Sequence, residues 1–131
     1  MKIYISEEAI VADIEDRFHS LYPNLKLEFF RKPHEEGKCS PANEKLPSNA
    51  PIEKIRMMHS FGWMDVSYYR TAAAVEHDFS HLFGLHAQIL RKAGRLWLIT
   101  TGTDNRTLEE LNATGFPDEK QEFRLPEETE E

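Results

Sequence analysis

Ile14-Glu15-Asp16-Arg17-Phe18-His19-Ser20-Leu21-Tyr22 and Val75-Glu76-His77-Asp78-Phe79-Ser80-His81-Leu82-Phe83 lie 61 residues apart and share their apolar positions. With Asn24 extra in the first copy, Leu25-Lys26-Leu27-Glu28-Phe29-Phe30-Arg31-Lys32 then falls on Leu85-His86-Ala87-Gln88-Ile89-Leu90-Arg91-Lys92. Upstream, Ile3 and Ile5 fall on Met64 and Val66. The chain is therefore read as two copies of one unit, repeat one over 1–32 and repeat two over 62–101.

Within each copy the hydrophobic period changes twice, and the period assigns the structure. Ile3 and Ile5 alternate as in a strand. Val11, Ile14, Phe18, Leu21 and Tyr22 recur on one face of a helix, and Leu25, Leu27 and Phe29 alternate again. In the second copy Met64, Val66 and Tyr68 make the strand, and Ala72, Val75, Phe79, Leu82 and Phe83 make the helical stripe. Leu85, Ala87 and Ile89 make the returning strand. Ser6 and Thr71 are expected as N-caps and Gly84 as a helix stop.

After repeat one, residues 33–51 form a polar loop with four prolines, Pro33, Pro41, Pro47 and Pro51, expected to be free in solution. A short helix is expected over Ile52–Met58. After repeat two, Ala93-Gly94 marks a tight turn, which makes Arg95–Thr101 the hairpin partner of the strand before it. Thr107-Leu108-Glu109-Glu110 is a capping box for one more short helix.

Strand–helix–strand twice in succession predicts an α+β fold, a two-layer ferredoxin-like sandwich with helices on one sheet face and an added C-terminal hairpin strand. A grasp-type sheet is the rival. A single domain over 1–115 is expected, followed by an acidic tail, 116–131. That tail carries five of the chain's seven net negative charges, so the body is nearly neutral. The single cysteine, Cys39, allows no intramolecular disulfide and suits a reducing, cytoplasmic setting. The N-terminal run turns acidic at once, so no secretory signal is expected, and no run is long enough to span a membrane.

Candidate chemistry is sparse, and a non-enzymatic role with no cofactor is expected. His77 and His81 are four apart on a helix, a spacing that lets two imidazoles share a metal, yet both point away from the apolar stripe. Cys39 lies in the proline-rich loop beside Lys38, and Glu7-Glu8 and Glu109-Glu110 read as first-turn acids that complement a helix dipole. No glycine-rich phosphate loop is present.

Alternation leaves an apolar set on the sheet face away from the helices: Tyr4, Phe30, Trp63, Tyr69 and Trp97, with Leu90 and Ile99. Such a face calls for cover: a second copy of the chain, the tail segment with Phe116, Phe123 and Leu125, or a stacking ligand. The leading expectation is a self-associating interaction module, a homodimer or a complex with a protein partner. A small-molecule-binding regulatory domain is an alternative that rests on fold analogy.

Ile3-Tyr4-Ile5 and Phe61-Gly62-Trp63-Met64 also resemble the two short aromatic motifs of the RNA-recognition motif family. That resemblance implies single-stranded nucleic acid stacked on Tyr4, Phe61 and Trp63. His59-Ser60 replaces the family's basic residue and glycine, and Val66 its final aromatic. As a whole the chain resembles a small uncharacterised bacterial α+β tandem-repeat domain, on its strand–helix repeat, Leu82-Phe83-Gly84-Leu85 and Thr103-Asp104-Asn105-Arg106-Thr107-Leu108-Glu109. This second resemblance implies the repeat and no activity.

Overall fold

A computed structural model describes residues 1–31, 45–55, 60–100 and 105–113. The order of elements is β1 (Lys2–Ile5), α1 (Val11–Leu21), β2 (Leu25–Phe30), a 3₁₀ turn (Ile52–Lys54), β3 (Gly62–Asp65), α2 (Ala72–Phe83), β4 (His86–Ala93), β5 (Leu96–Ile99) and α3 (Leu108–Asn112). The protein is α+β, and strand–helix–strand occurs twice. β5 is the hairpin partner of β4.

The ladders depart from the single sheet expected of a ferredoxin-like sandwich. β1 pairs antiparallel with β3, and β2–β4–β5 form a second antiparallel sheet. Each strand of repeat one thus pairs with its own counterpart in repeat two. Ile3 stands opposite Met64 and Glu28 opposite Gln88, and in both cases the partners are repeat equivalents. Two antiparallel ladders centred on equivalent residues are what a local two-fold axis between the repeats produces.

The same symmetry extends past the returning strands. Lys45 bridges Phe30 on the outer edge of β2, as Ile99 pairs with Leu90 on the outer edge of β4. Next to them, Leu46 N–H donates to the Phe29 carbonyl at 2.8 Å and the Thr100 hydroxyl to the Ile89 carbonyl at 2.8 Å. Ile10 then bridges Pro51 and Thr71 bridges Thr107, before the 3₁₀ turn and α3 respectively. Ile52 and Leu108, the first residues of those two elements, are both fully buried.

These bridges set the helix starts. Val11 and Ala12 N–H groups donate to the carbonyls of Ala50 and Ser48, which satisfies two amides that a helix N-terminus leaves open. The Asp13 carboxylate accepts the Ile10 N–H at 3.0 Å. α1 therefore begins at Val11, and Ser6 is not its cap. The stretch Lys45–Pro51, expected to be free, instead packs on α1 and β2 and buries Leu46 and Ala50. Thr71 caps α2 by accepting the Ala74 N–H at 3.1 Å, and Gly84, at φ 67°, ends it in the left-handed conformation that glycine adopts without strain. Thr107 and Glu110 form the expected reciprocal capping box.

One core joins everything. Ile3, Ile5, Met64 and Val66 meet Val11, Ile14, Phe18, Val75 and Phe79 from the helices and Leu25, Leu27, Phe29, Ala87 and Ile89 from the second sheet. Phe29 packs edge-on against Phe79 at 5.5 Å. Leu82, expected in the stripe, is exposed.

Candidate interaction surface

β1 buries Ile3 and Ile5 and turns Lys2 and Tyr4 outward, as strand alternation requires. Tyr4 stands opposite Trp63 in the ladder, and the two rings meet edge-to-face at 5.1 Å between centroids. Tyr4 is 45% exposed and Trp63 62%, and Phe61, at the entry to β3, is 65% exposed. Between the last two, Gly62 has φ 147°, a backbone state that side chains disfavour. Among the described residues, its two chain neighbours apart, no atom lies within 4 Å of where its Cβ would be, so the constraint there is conformational rather than steric.

Beside this pair lies an open cleft of about 270 Å³ lined by Tyr4, Ser6, Glu7, Glu8 and Phe61. The sequence pattern put Glu7 and Glu8 in the first turn of a helix. Because α1 starts only at Val11, they belong to the preceding turn and add two carboxylates to an aromatic cleft. Lys2, at the opposite end of β1, has Asp65 as its cross-strand neighbour. The Asp65 carboxylate is engaged elsewhere: it accepts the Ser67 N–H and hydroxyl, and those hydrogen bonds hold it below the usual carboxylate range.

The remaining members of the predicted aromatic face lie apart from Tyr4 and Trp63. Phe30 is on the second sheet and is buried, with Lys45 bridged to it. Trp97, on β5, is half-buried. The Lys26 ammonium sits 4.9 Å above its ring and His19 lies edge-on at 5.8 Å. Lys26 and Lys45 both approach Glu28, at 3.6 and 2.9 Å. Tyr69 is exposed, but β3 ends at Asp65, so Tyr69 sits in the following turn against Tyr68, which was expected in the strand and is exposed as well. One sheet would have brought the five aromatics together; two ladders separate them.

His77 and His81 are exposed and their rings stack at 5.5 Å, tilted by only 12°. Asp78, between them, pairs with Arg70 at 2.8 Å. Among the described residues no group of three or more metal-ligating side chains converges. Cys39, with its loop neighbours, and Phe116, Phe123 and Leu125 lie outside the described residues.

Three polar positions escaped the sequence reading. Glu76, on the buried side of α2, accepts the Ile89 N–H at 2.8 Å and so ties that helix to β4. Glu15 faces Ser48 at 3.4 Å, and burial pushes its carboxyl up to about 7 against the opposing pull of Lys45. Tyr22 donates its hydroxyl to the Val66 carbonyl, joining α1 to the end of β3, and burial raises it to about 12. Each depends on a contact between distant segments, and the local pattern carries no sign of it.

Comparison of the chain with protein-family models, curated proteins and solved structures finds no match. Among the described residues no helix is long and apolar enough to cross a membrane.

Proposed function

We propose that this chain is a non-enzymatic interaction module that self-associates through the outer face of the β1–β3 ladder. The observation that carries the reading is the exposed Tyr4–Trp63 pair with Phe61 beside it. Rigid aromatics of this kind supply large contact area at low cost in side-chain entropy and dominate the energetics of protein interfaces. A reducing, cytoplasmic setting is part of the proposal. Replacing Tyr4 and Trp63 together with serine tests it: the variant is expected to fold and to be monomeric by light scattering. An unchanged mass overturns the reading.

A second reading is single-stranded nucleic-acid binding, favoured by the exposure of Tyr4 and Trp63 on neighbouring strands and of Phe61 at the entry to β3. Glu7 and Glu8 at the rim oppose it, since carboxylates beside a stacking platform repel phosphate. Salt-sensitive quenching of tryptophan by oligonucleotides would put this reading first.

A further inference from the structure

We infer that the cleft beside Tyr4 receives a cationic side chain, and that the cation is Lys2 of a second copy of this chain. The inference rests on the self-association reading above and adds to it a register and an ionic contact.

Chemistry defines the guest. The cleft is lined by two aromatic residues, Tyr4 and Phe61, two acids, Glu7 and Glu8, and Ser6, and of the two acids Glu8 is exposed. Ring faces attract a cation through their quadrupole, and carboxylates do so through charge. An ammonium has three donors for such acceptors and no acceptor of its own. A phosphate or carboxylate ligand would meet two like-charged residues there and no cation.

The placement of charge on the face identifies the donor. Lys2 is the only cation on either strand of the ladder, and it points to the same side as Tyr4. Its cross-strand neighbour Asp65 is held by Ser67, and no ion pair to Lys2 exists among the described residues. Strand rise puts Lys2 about 7 Å to one side of Tyr4, and the cleft residues begin at Ser6, about 7 Å to the other. A two-fold axis lying in the interface, running across the strands at Tyr4, reverses one copy on the other. Each Lys2 then stands over the opposing cleft, and the contact is made twice, as isologous association requires.

The test is charge reversal read by sedimentation or light scattering at low salt. Lys2 and Glu8 are both exposed, so Lys2→Glu and Glu8→Lys are expected to leave the fold of the single copy intact, as circular dichroism would show. Each single variant should weaken dimerisation about tenfold in Kd, the order of effect of a close interfacial charge pair. The double variant, with the charges exchanged, should return to within about threefold of wild type. Single variants that dimerise like wild type, while Trp63→Ser is monomeric, would overturn the Lys2 contact and leave the aromatic-face reading standing. Weakened singles with no rescue in the double variant would also overturn it. A wild-type protein that stays monomeric at every concentration would overturn both.

Discussion

Glu28 stands directly opposite Gln88 in the β2–β4 ladder, and each occupies the other's place in the repeat. The symmetry of position is not a symmetry of environment. Glu28 keeps part of its side chain in solvent and takes Lys26 and Lys45 as partners, whereas Gln88 is 1% exposed and neither atom of its amide has a hydrogen-bond partner among the described residues.

An unsatisfied buried amide is destabilising, because water once met both its donor and its acceptor. Gln88→Met keeps the length of the side chain and removes the polar group. It should stabilise the fold by about 1 kcal/mol. The urea midpoint of unfolding, measured at constant slope, checks this.

Glu15 makes stability depend on pH near neutrality. Burial raises its carboxyl from an ordinary 4.5 to about 7, so the folded state holds that proton more tightly than the unfolded chain does. Its contribution is full below about 4.5, is lost as pH rises to about 7, and is flat above. Glu15→Gln should flatten that slope and be more stable than wild type at pH 8. Denaturation series at pH 5, 6, 7 and 8 for both proteins decide it.

Gly62→Ala isolates the backbone constraint at the entry to β3. Open space surrounds the added methyl, so the cost arises from φ 147° alone and should be about 1–2 kcal/mol. Thermal melts measure it. A neutral substitution would mean that the strand start relaxes without consequence for Phe61 and Trp63.

The two tryptophans should behave differently. Trp63 is exposed, whereas Trp97 is half-covered by Lys26 and His19. In dilute protein, acrylamide should quench the emission of a Trp97→Phe variant, which keeps only Trp63, more strongly than that of Trp63→Phe. Trp97→Ser should leave self-association unchanged.

Much of the fold was legible because period is a local property. Ile14, Phe18, Val75 and Phe79 announce the helices, Thr107 and Glu110 announce α3, and Gly84 announces a stop. Pairing was not legible, since β1 with β3 and β2 with β4 is a decision between segments with the same alternation as any rival order. That decision divided the aromatic set, sending Phe30 and Trp97 to one sheet and leaving Tyr4 and Trp63 on the other. The start of α1 was placed four residues early for a related reason: its open amides are met by carbonyls of Ser48 and Ala50, far along the chain. Glu7 and Glu8 changed role with it, from helix acids to walls of a cleft. The repeat itself runs further than its letters, because Ile52 and Leu108 match only in burial and in the bridges Ile10–Pro51 and Thr71–Thr107 that precede them.

The outer face of β1–β3 carries the functional proposal, and its most direct test is the solution mass of the wild-type chain and of Trp63→Ser across a range of concentrations. The account predicts a wild-type dimer whose tryptophan emission shifts to the blue on association, and a folded Trp63→Ser monomer. A wild-type monomer at every concentration, or a Trp63→Ser dimer as tight as wild type, would contradict it.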